Sequence, residues 1–376
     1  MTPSNNDLIN NYKVCSNFLY KNNPDSRHRS RHWSYFYQLN IDEESLKNFR
    51  YKKKISLGLD DQTESFDFKI FAKIVNEISE DYVLRNLPKK NVGNCDTLLS
   101  YKNNLIDYNK LIHIHWFHTI EKEILEQNKV QNICEIGGGF GSFSELFIKN
   151  YNTKLISIDL PEANLMTSYY LKENFPSKKF YLFENYLENE ILSFDAFQNN
   201  DVIILPPNCK FDKRIKIDMF INTRSMMEMK KVVIKSYFDF IHSHSHQNSL
   251  FLNINRYEKN SSGDLILLHE YPYDKKWRKI ISKPSFNQEW VHFLVTQRCE
   301  DDSKANINAT LKEIEQIGRK FYGLYIDKIP YFFGVKTIER INLIIKKILK
   351  KILGKKFLNK IGNLLSKWGR MFQNIK

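Results

Sequence analysis

Apolar and polar positions follow two different patterns along the chain. Between residues 66 and 87 the apolar positions recur at spacings of three and four, which predicts an amphipathic helix that Pro88 would end. A second helix is predicted over residues 105–127. After Val130 the pattern changes to short apolar runs that alternate with helical segments. This alternation predicts an α/β fold with a parallel sheet.

The apolar runs of the second part predict individual strands. They cover residues 133–136, 154–160, 179–183, 201–205, 217–223 and 249–257. A helix over residues 227–242 would join the last two strands. Residues 291–298 predict a late strand that pairs with a segment near residues 265–281 and adds an antiparallel pair. The first 60 residues, with a basic cluster at 26–32, are interpreted as an irregular or partly helical extension.

Four of the 13 glycines are concentrated in the stretch ICEIGGGFGSF, residues 133–143. At a turn between a strand and a helix, glycines allow positive φ angles and let a ligand approach the main chain closely. A dinucleotide fingerprint G-x-G-x-x-G would need Gly or Ala at the position of Ser142. The spacing instead fits E-x-G-x-G-x-G, formed by Glu135, Gly137, Gly139 and Gly141. The alternative is a tight turn that binds no ligand.

Acidic residues after the next strands would complete a nucleoside site. Asp159 ends the strand that follows the glycines and lies 18 residues after Gly141. A carboxylate at the tip of this strand can accept hydrogen bonds from both hydroxyls of a ribose. The alternative is a solvated carboxylate at a strand end. Glu184 and Asn185 follow the strand predicted at 179–183 and are further candidates for contacts with the nucleoside.

The glycines and Asp159 belong to a wider set of motifs. The set comprises ICEIGGGFG (133–141), IDLPE (158–162), NTRSMMEM (222–229), YFDFIHS (237–243), NINRYEK (253–259) and EYPYD (270–274). Together they resemble the sugar O-methyltransferases encoded in bacterial surface-polysaccharide gene clusters. That family belongs to the class I S-adenosylmethionine-dependent methyltransferases. The resemblance covers about residues 60–300 and implies a Rossmann-like fold, with a mostly parallel seven-stranded sheet and an antiparallel edge strand.

The same resemblance implies S-adenosylmethionine as the cofactor and a sugar hydroxyl as the methyl acceptor. The cofactor would contact the glycine motif, Asp159 and Glu184. Ligands of open α/β sheets bind at the carboxyl ends of the strands, so the acceptor should face the loop after residues 217–223. In that loop Glu228 is the first candidate for general base or acceptor anchor, and Arg224 for binding an acidic or phosphorylated acceptor. Alternatively, Arg224 and Glu228 form an ion pair at a helix start.

Histidines supply further candidates. His242 competes with Glu228 as the general base, and Asn255 and Arg256 end a strand where they could contact the acceptor. The run HSHSH (242–246) could bind a divalent metal or form a solvated loop at a helix C-terminus. Because no carboxylate ligand is fixed by spacing, no metal site is predicted. The cluster HIHWFH (113–118) is predicted to pack in the core.

The net charge of +14 is concentrated at the C-terminal end. Residues 336–376 carry +11, whereas the rest of the chain carries only +3. A nucleic-acid enzyme more often carries its basic charge around the catalytic cleft, so nucleic acid is not a predicted partner. The tail is also amphipathic, which predicts a helix lying on an anionic membrane surface. The alternative is a helix packed on the enzyme body or on a second subunit of a homo-oligomer.

The remaining features concern location. Five dispersed cysteines without a C-x-x-C pair argue against a zinc site or a disulfide framework and fit a reducing cytosol. The chain shows no secretory signal and no apolar run long enough to span a bilayer. We therefore expect a cytoplasmic protein that attaches to the inner face of the cell membrane through its tail.

The predicted organisation is a helical extension or lid (1–128), a methyltransferase domain (129–335) and a basic helical tail (336–376). The predicted function is S-adenosylmethionine-dependent O-methylation of a sugar hydroxyl in a surface polysaccharide or its nucleotide-linked or lipid-linked precursor. Two alternatives remain open at this point. One is an NAD-dependent nucleotide-sugar oxidoreductase or epimerase, and the other is a catalytically inactive membrane-bound adaptor with a methyltransferase fold.

Overall fold

The computed structural model describes residues 2–21, 41–51, 64–261, 264–300 and 306–322. The predicted tail and the basic cluster at 26–32 lie outside the described residues. The chain divides into two compact units, Met1–Gln316 and Ile317–Lys376, and residues 317–322 of the second unit continue a helix. Among the described residues no helix is both long and apolar enough to cross a membrane.

Helices precede, separate and follow the strands. The α-helices are α1 (Asn5–Ser16), α2 (Glu43–Lys47), α3 (Glu64–Glu77), α4 (Glu80–Asn86), α5 (Tyr108–Ile120), α6 (Ser144–Tyr151), α7 (Pro161–Asn174), α8 (Phe183–Leu187), α9 (Phe194–Asn199), α10 (Lys231–His244) and α11 (Ile307–Tyr322). The strands are β1 (Leu99–Tyr101), β2 (Asn104–Ile106), β3 (Asn132–Ile136), β4 (Lys154–Ile158), β5 (Phe180–Tyr181), β6 (Val202–Leu205), β7 (Ile217–Thr223), β8 (Ser245–Arg256), β9 (Glu258–Ser261), β10 (Asp264–Leu267), β11 (Trp277–Ser285) and β12 (Gln288–Arg298).

The central sheet has the strand order β11-β12-β8-β7-β3-β4-β6-β5. All pairs from β8 to β5 are parallel, and β12 is antiparallel to both β8 and β11. From β3 the chain adds β4 and β6 on one side and later β7 and β8 on the other. Such a doubly wound order has its switch point between β3 and β7, where ligands of this fold class bind. The predicted Rossmann-like α/β fold is confirmed.

Two details of the sheet differ from the prediction. Eight strands replace the expected seven, because β11 adds a further strand outside β12. The antiparallel strand β12 lies one place in from the edge, since a tight turn at residues 286–287 folds β11 onto its outer side. The parallel strands β3, β4 and β6 are buried almost throughout, as expected for a covered parallel sheet.

The N-terminal helices also differ in part from the sequence pattern. The helix predicted over residues 66–87 is two helices, because Ser79 caps α4 by accepting a hydrogen bond from the Tyr82 N–H at 3.2 Å. α5 begins where Asp107 caps it and continues into a π-helical turn. The boundary predicted at residue 128 does not separate two compact units. The buried indole of Trp116 on α5 donates to Ser285 Oγ at 2.9 Å, which joins the helical extension to the sheet.

Candidate active site

The glycine motif forms the turn between β3 and α6. Gly137 and Gly139 have φ angles of +71° and +65°, a region that side-chain-bearing residues rarely adopt. A Cβ atom on Gly137 would overlap the side chain of Ser225, which follows β7. A Cβ atom on Gly139 would meet no atom within 4 Å. The loop is therefore packed against protein at Gly137 and open at Gly139, so a ligand can reach the main chain there.

Asp159 holds this loop from the end of β4. Its Oδ2 accepts a hydrogen bond from the Gly139 N–H at 2.9 Å, and its Oδ1 accepts one from the Leu160 N–H at 2.7 Å. On the other side, the Thr167 hydroxyl donates to the Gly139 carbonyl at 2.7 Å. Burial raises the pKa of Asp159 to about 6. Each carboxylate oxygen keeps acceptor capacity, so Asp159 can fix the loop and still bind two hydroxyls.

Glu135 lies directly beneath the loop. Its side chain is buried, and a Cβ atom on Gly138 would overlap its carboxylate. The Ser144 hydroxyl donates to Oε2, whereas Oε1 has no hydrogen-bond partner among the described residues. Burial raises the pKa of Glu135 to about 7, and the neighbouring charge of Asp159 contributes to this increase. The structure thus brings together five of the predicted cofactor residues: Glu135, Gly137, Gly139, Gly141 and Asp159.

The structure does not bring Glu184 to this group. Glu184 lies in the first turn of α8 with an exposed side chain, and its N–H donates to Asn11 Oδ1 at 3.0 Å. It follows β5, and β6 separates β5 from β4. The carboxyl end of β6 lies next to Asp159 instead, since the Asp159 N–H donates to the Leu205 carbonyl at 3.4 Å. The predicted strand at 179–183 is short because the buried Phe183 already belongs to α8.

Three buried asparagines lie across the switch point at the ends of β7 and β8. Asn222 donates to the Ile136 carbonyl at 2.7 Å, and Asn255 donates to Asn222 Oδ1 at 2.7 Å and to Asn253 Oδ1 at 2.6 Å. Asn253 donates to the Tyr273 hydroxyl at 3.0 Å. This asparagine ladder (Asn222, Asn253, Asn255) fixes the loop after β7 against the glycine loop, because amide pairs with full hydrogen bonding tolerate little movement.

Arg224 and Glu228 both lie on this fixed loop, but they form no hydrogen bond or salt bridge with each other. Arg224 has a φ of +58°, and its N–H donates to the Ile254 carbonyl at 2.7 Å. Its guanidinium makes no hydrogen bond or salt bridge with the part of the chain that the structure describes. Burial lowers the pKa of Arg224. Glu228 instead forms a salt bridge with Lys259 of β9.

His242 lies at the amino ends of the parallel strands, whereas the glycine loop lies at their carboxyl ends. The structure therefore contradicts its predicted position near the glycine loop. α10 leaves the carboxyl end of β7 and returns the chain to the amino end of β8, and His242 lies in its last turn. Its Nδ1 is 3.7 Å from Asp274 Oδ2, and its ring packs on Phe238 and Trp277. Burial lowers the pKa of His242.

The other two histidines of the HSHSH run have separate partners. His244 Nδ1 lies 2.9 Å from the Ile215 carbonyl, and His246 Nε2 lies 3.0 Å from Asp218 Oδ1. Within the described ranges, no three His, Cys, Asp or Glu side chains are grouped so that they could hold a metal ion.

His113 is a candidate that the sequence reasoning assigned to the core. Trp116 and Phe117 are buried as expected, but His113 lies beside the glycine loop with partial exposure. Its Nδ1 is 3.4 Å from Ser142 Oγ, and its ring centroid is 5.3 Å from that of Phe143. Burial, with the charge of Lys110, lowers the pKa of His113 to about 3, and the charge of Arg224 acts in the same direction. His113 is therefore a neutral imidazole near pH 7.

A buried ion pair places α5 over the glycine loop. Lys110 Nζ donates to Glu145 Oε2 at 2.5 Å and to the Ser142 carbonyl at 2.7 Å, and the Tyr170 hydroxyl donates to the same Glu145 oxygen at 2.5 Å. The Lys110 and Glu145 side chains are 1% and 6% exposed. These partners are 35 residues apart in the sequence, which explains why no local pattern places His113 at the site.

The sequence matches no protein-family model and no curated protein. Among solved structures, about half of this chain matches parts of several methyltransferases at low identity. An amino pentose methyltransferase of Micromonospora echinaspora with bound SAM is 8% identical; the match covers 50% of this chain and 91% of that one, with a TM-score of 0.33. For a mitomycin 7-O-methyltransferase the identity is 13%, the coverages are 51% and 57%, and the TM-score is 0.30. A glycopeptide N-methyltransferase complexed with sinefungin is 9% identical; the match covers 49% of this chain and 92% of that one, with a TM-score of 0.30.

Proposed function

We propose that the chain is an S-adenosylmethionine-dependent methyltransferase that acts on a sugar hydroxyl. The observation that carries this proposal is the open glycine loop at Gly139, bound from below to Asp159 and lying over the buried carboxylate of Glu135. The cofactor would supply a methyl group on a cationic sulfur. Asp159 would accept the ribose hydroxyls, and Glu135, with a pKa of about 7, would contribute a negative charge beneath the loop when it is ionised.

The acceptor side of the proposal needs a group that takes the hydroxyl proton. We assign the contact with this hydroxyl to His113, because its side chain is partly exposed and lies next to the glycine loop. With a pKa of about 3 it can accept the hydrogen bond of the hydroxyl but holds the proton only weakly, so the proton would pass on to solvent. Glu228 forms a salt bridge with Lys259, which suits an acceptor anchor better than a free base. We do not assign this role to His242, because it lies at the amino ends of β7 and β8, away from the glycine loop.

The sugar acceptor and the membrane attachment are supported by the sequence motifs alone. The predicted amphipathic tail lies outside the described residues, so its binding to an anionic membrane remains a prediction. A tail of this kind would concentrate the enzyme near a lipid-linked glycan precursor.

Calorimetric titration of S-adenosylmethionine and S-adenosylhomocysteine into the full-length protein tests the cofactor assignment. Wild type should bind with micromolar affinity, and Asp159→Ala and Gly139→Val should both lose measurable binding. Asp218→Ala is the matched control, because Asp218 also accepts two main-chain N–H bonds but lies at the amino end of β7. Binding of NADH in place of either ligand, or equal binding by wild type and Gly139→Val, would contradict the proposal.

A further inference from the structure

Two arginines lie side by side where the acceptor is proposed to bind. β7 and β8 are parallel neighbours, with Thr223 opposite Ile254. Arg224 follows directly after β7, and Arg256 is the last residue of β8. The hydrogen bond from the Arg224 N–H to the Ile254 carbonyl fixes the two strand ends relative to each other. Both side chains therefore start from one corner of the switch-point edge.

Neither guanidinium is neutralised by a bound carboxylate within the described residues. Arg256 Nε is buried without a hydrogen-bond partner, and the Arg224 guanidinium makes no hydrogen bond or salt bridge with the described residues. Glu228, the acid whose charge acts on Arg224, is in a salt bridge with Lys259. A partly desolvated guanidinium without a counter-charge is costly, and such costs persist mainly where a ligand supplies the missing partner.

The backbone of Arg224 gives a second, independent observation. Its φ of +58° lies in a region that non-glycine residues rarely adopt and that occurs preferentially at functional sites. The asparagine ladder enforces this conformation, since Asn222 and Asn255 also bind the N–H groups of Met226 and Met227 at 3.2 Å. The fold thus fixes the backbone from which the Arg224 side chain extends.

We propose that Arg224 and Arg256 together bind an oxyanion of the acceptor, so that the methylated sugar carries a phosphate or carboxylate group. This inference rests on the proposed methyltransferase function. A guanidinium group can donate two parallel hydrogen bonds to a phosphate or a carboxylate. An uncharged sugar offers no such pair of charged oxygens. The sulfonium of the cofactor would add a further positive charge to a corner that already holds two arginines. An acceptor with a negative charge would offset these positive charges.

Titration of small probes into protein saturated with S-adenosylhomocysteine tests this inference. The probes are inorganic phosphate, glucose 1-phosphate, glucuronate and glucose. Wild type should bind glucose 1-phosphate or glucuronate at least tenfold more tightly than glucose. Tighter binding of glucose 1-phosphate indicates that the acceptor is a sugar phosphate or a nucleotide-linked sugar. Tighter binding of glucuronate indicates that it is a uronic acid. Arg224→Gln and Arg256→Gln should each reduce the charged-sugar affinity at least tenfold while S-adenosylhomocysteine affinity stays within threefold of wild type.

The control variant is Arg278→Gln on β11, whose guanidinium binds Gln297 away from the switch point. It should bind all probes as wild type does. Binding of inorganic phosphate without either charged sugar would indicate an adventitious ion only and would overturn the inference. Equal affinity for glucose and the charged sugars, or unchanged affinity in both arginine variants, would also overturn it. Failure of wild type to bind S-adenosylhomocysteine would instead overturn the proposed function on which the inference rests.

Discussion

Glu135 carries the clearest pH-dependent contribution to stability. Its pKa is raised from 4.5 to about 7 in the folded protein, so between these values the folded state holds a proton that the unfolded state has lost. The stability that the protonated Glu135 contributes is fully present below pH 4.5. It is lost as the pH rises through 7, because the folded protein must then give up this proton as well. The Glu135→Gln variant cannot ionise there. Relative to wild type, its free energy of unfolding should rise by about 3 kcal/mol between pH 4.5 and pH 8.

Urea denaturation of the cofactor-free protein at several pH values would measure this difference. Ser144→Ala provides the matched variant, because the Ser144 hydroxyl donates to Glu135 and favours its charged form. Loss of that donor should raise the pKa of Glu135 further, so stability should keep falling to a higher pH than in wild type and the total loss should be larger. A Glu135→Gln variant whose stability follows wild type in parallel across this pH range would show that the buried carboxylate does not titrate as proposed.

At the scale of single elements, the position of α5 depends on the Lys110–Glu145 pair. Lys110→Met leaves the Glu145 carboxylate buried with only the Tyr170 hydroxyl and should destabilise the protein by about 3–5 kcal/mol. The double variant with Glu145→Leu removes both charges and should recover most of this loss. Chemical denaturation at constant pH measures both. Lys235→Met, which breaks an exposed pair with Asp239, should change stability by less than about 1 kcal/mol.

The sequence was informative about elements whose identity depends on local pattern. The strands β3, β4 and β7 and the glycine turn were predicted correctly, because apolar runs and positive-φ positions are encoded within a few residues. The edge strand was misjudged at residues 179–183. There the ring centroids of Phe183 and Tyr186 lie 5.5 Å apart within α8. The apolar run that suggested a strand therefore ends in a helix.

Site residues were predictable only where one strand end determined their place. Asp159 directly follows β4, so its position followed from sheet topology. His242 was misplaced because the direction of α10, antiparallel to the strands, carries its last turn to the opposite edge. His113 was missed because its place depends on the distant Lys110–Glu145 contact, which a single sequence does not reveal. Long-range polar contacts thus limit the inference more than the local patterns do.

For the whole molecule, the compact unit Met1–Gln316 implies that the N-terminal helices and the sheet unfold together. Ile112 of α5 and Ile133 of β3 are 1% and 0% exposed in one continuous core. Saturation with S-adenosylhomocysteine at 100 times its dissociation constant should therefore raise the free energy of opening in both elements by about 2.7 kcal/mol. Native-state hydrogen exchange measures both in one experiment, and Gly139→Val should show no increase. If α5 instead exchanges through a separate opening that the ligand does not affect, the helical extension is an independent lid and not part of the cofactor-binding unit.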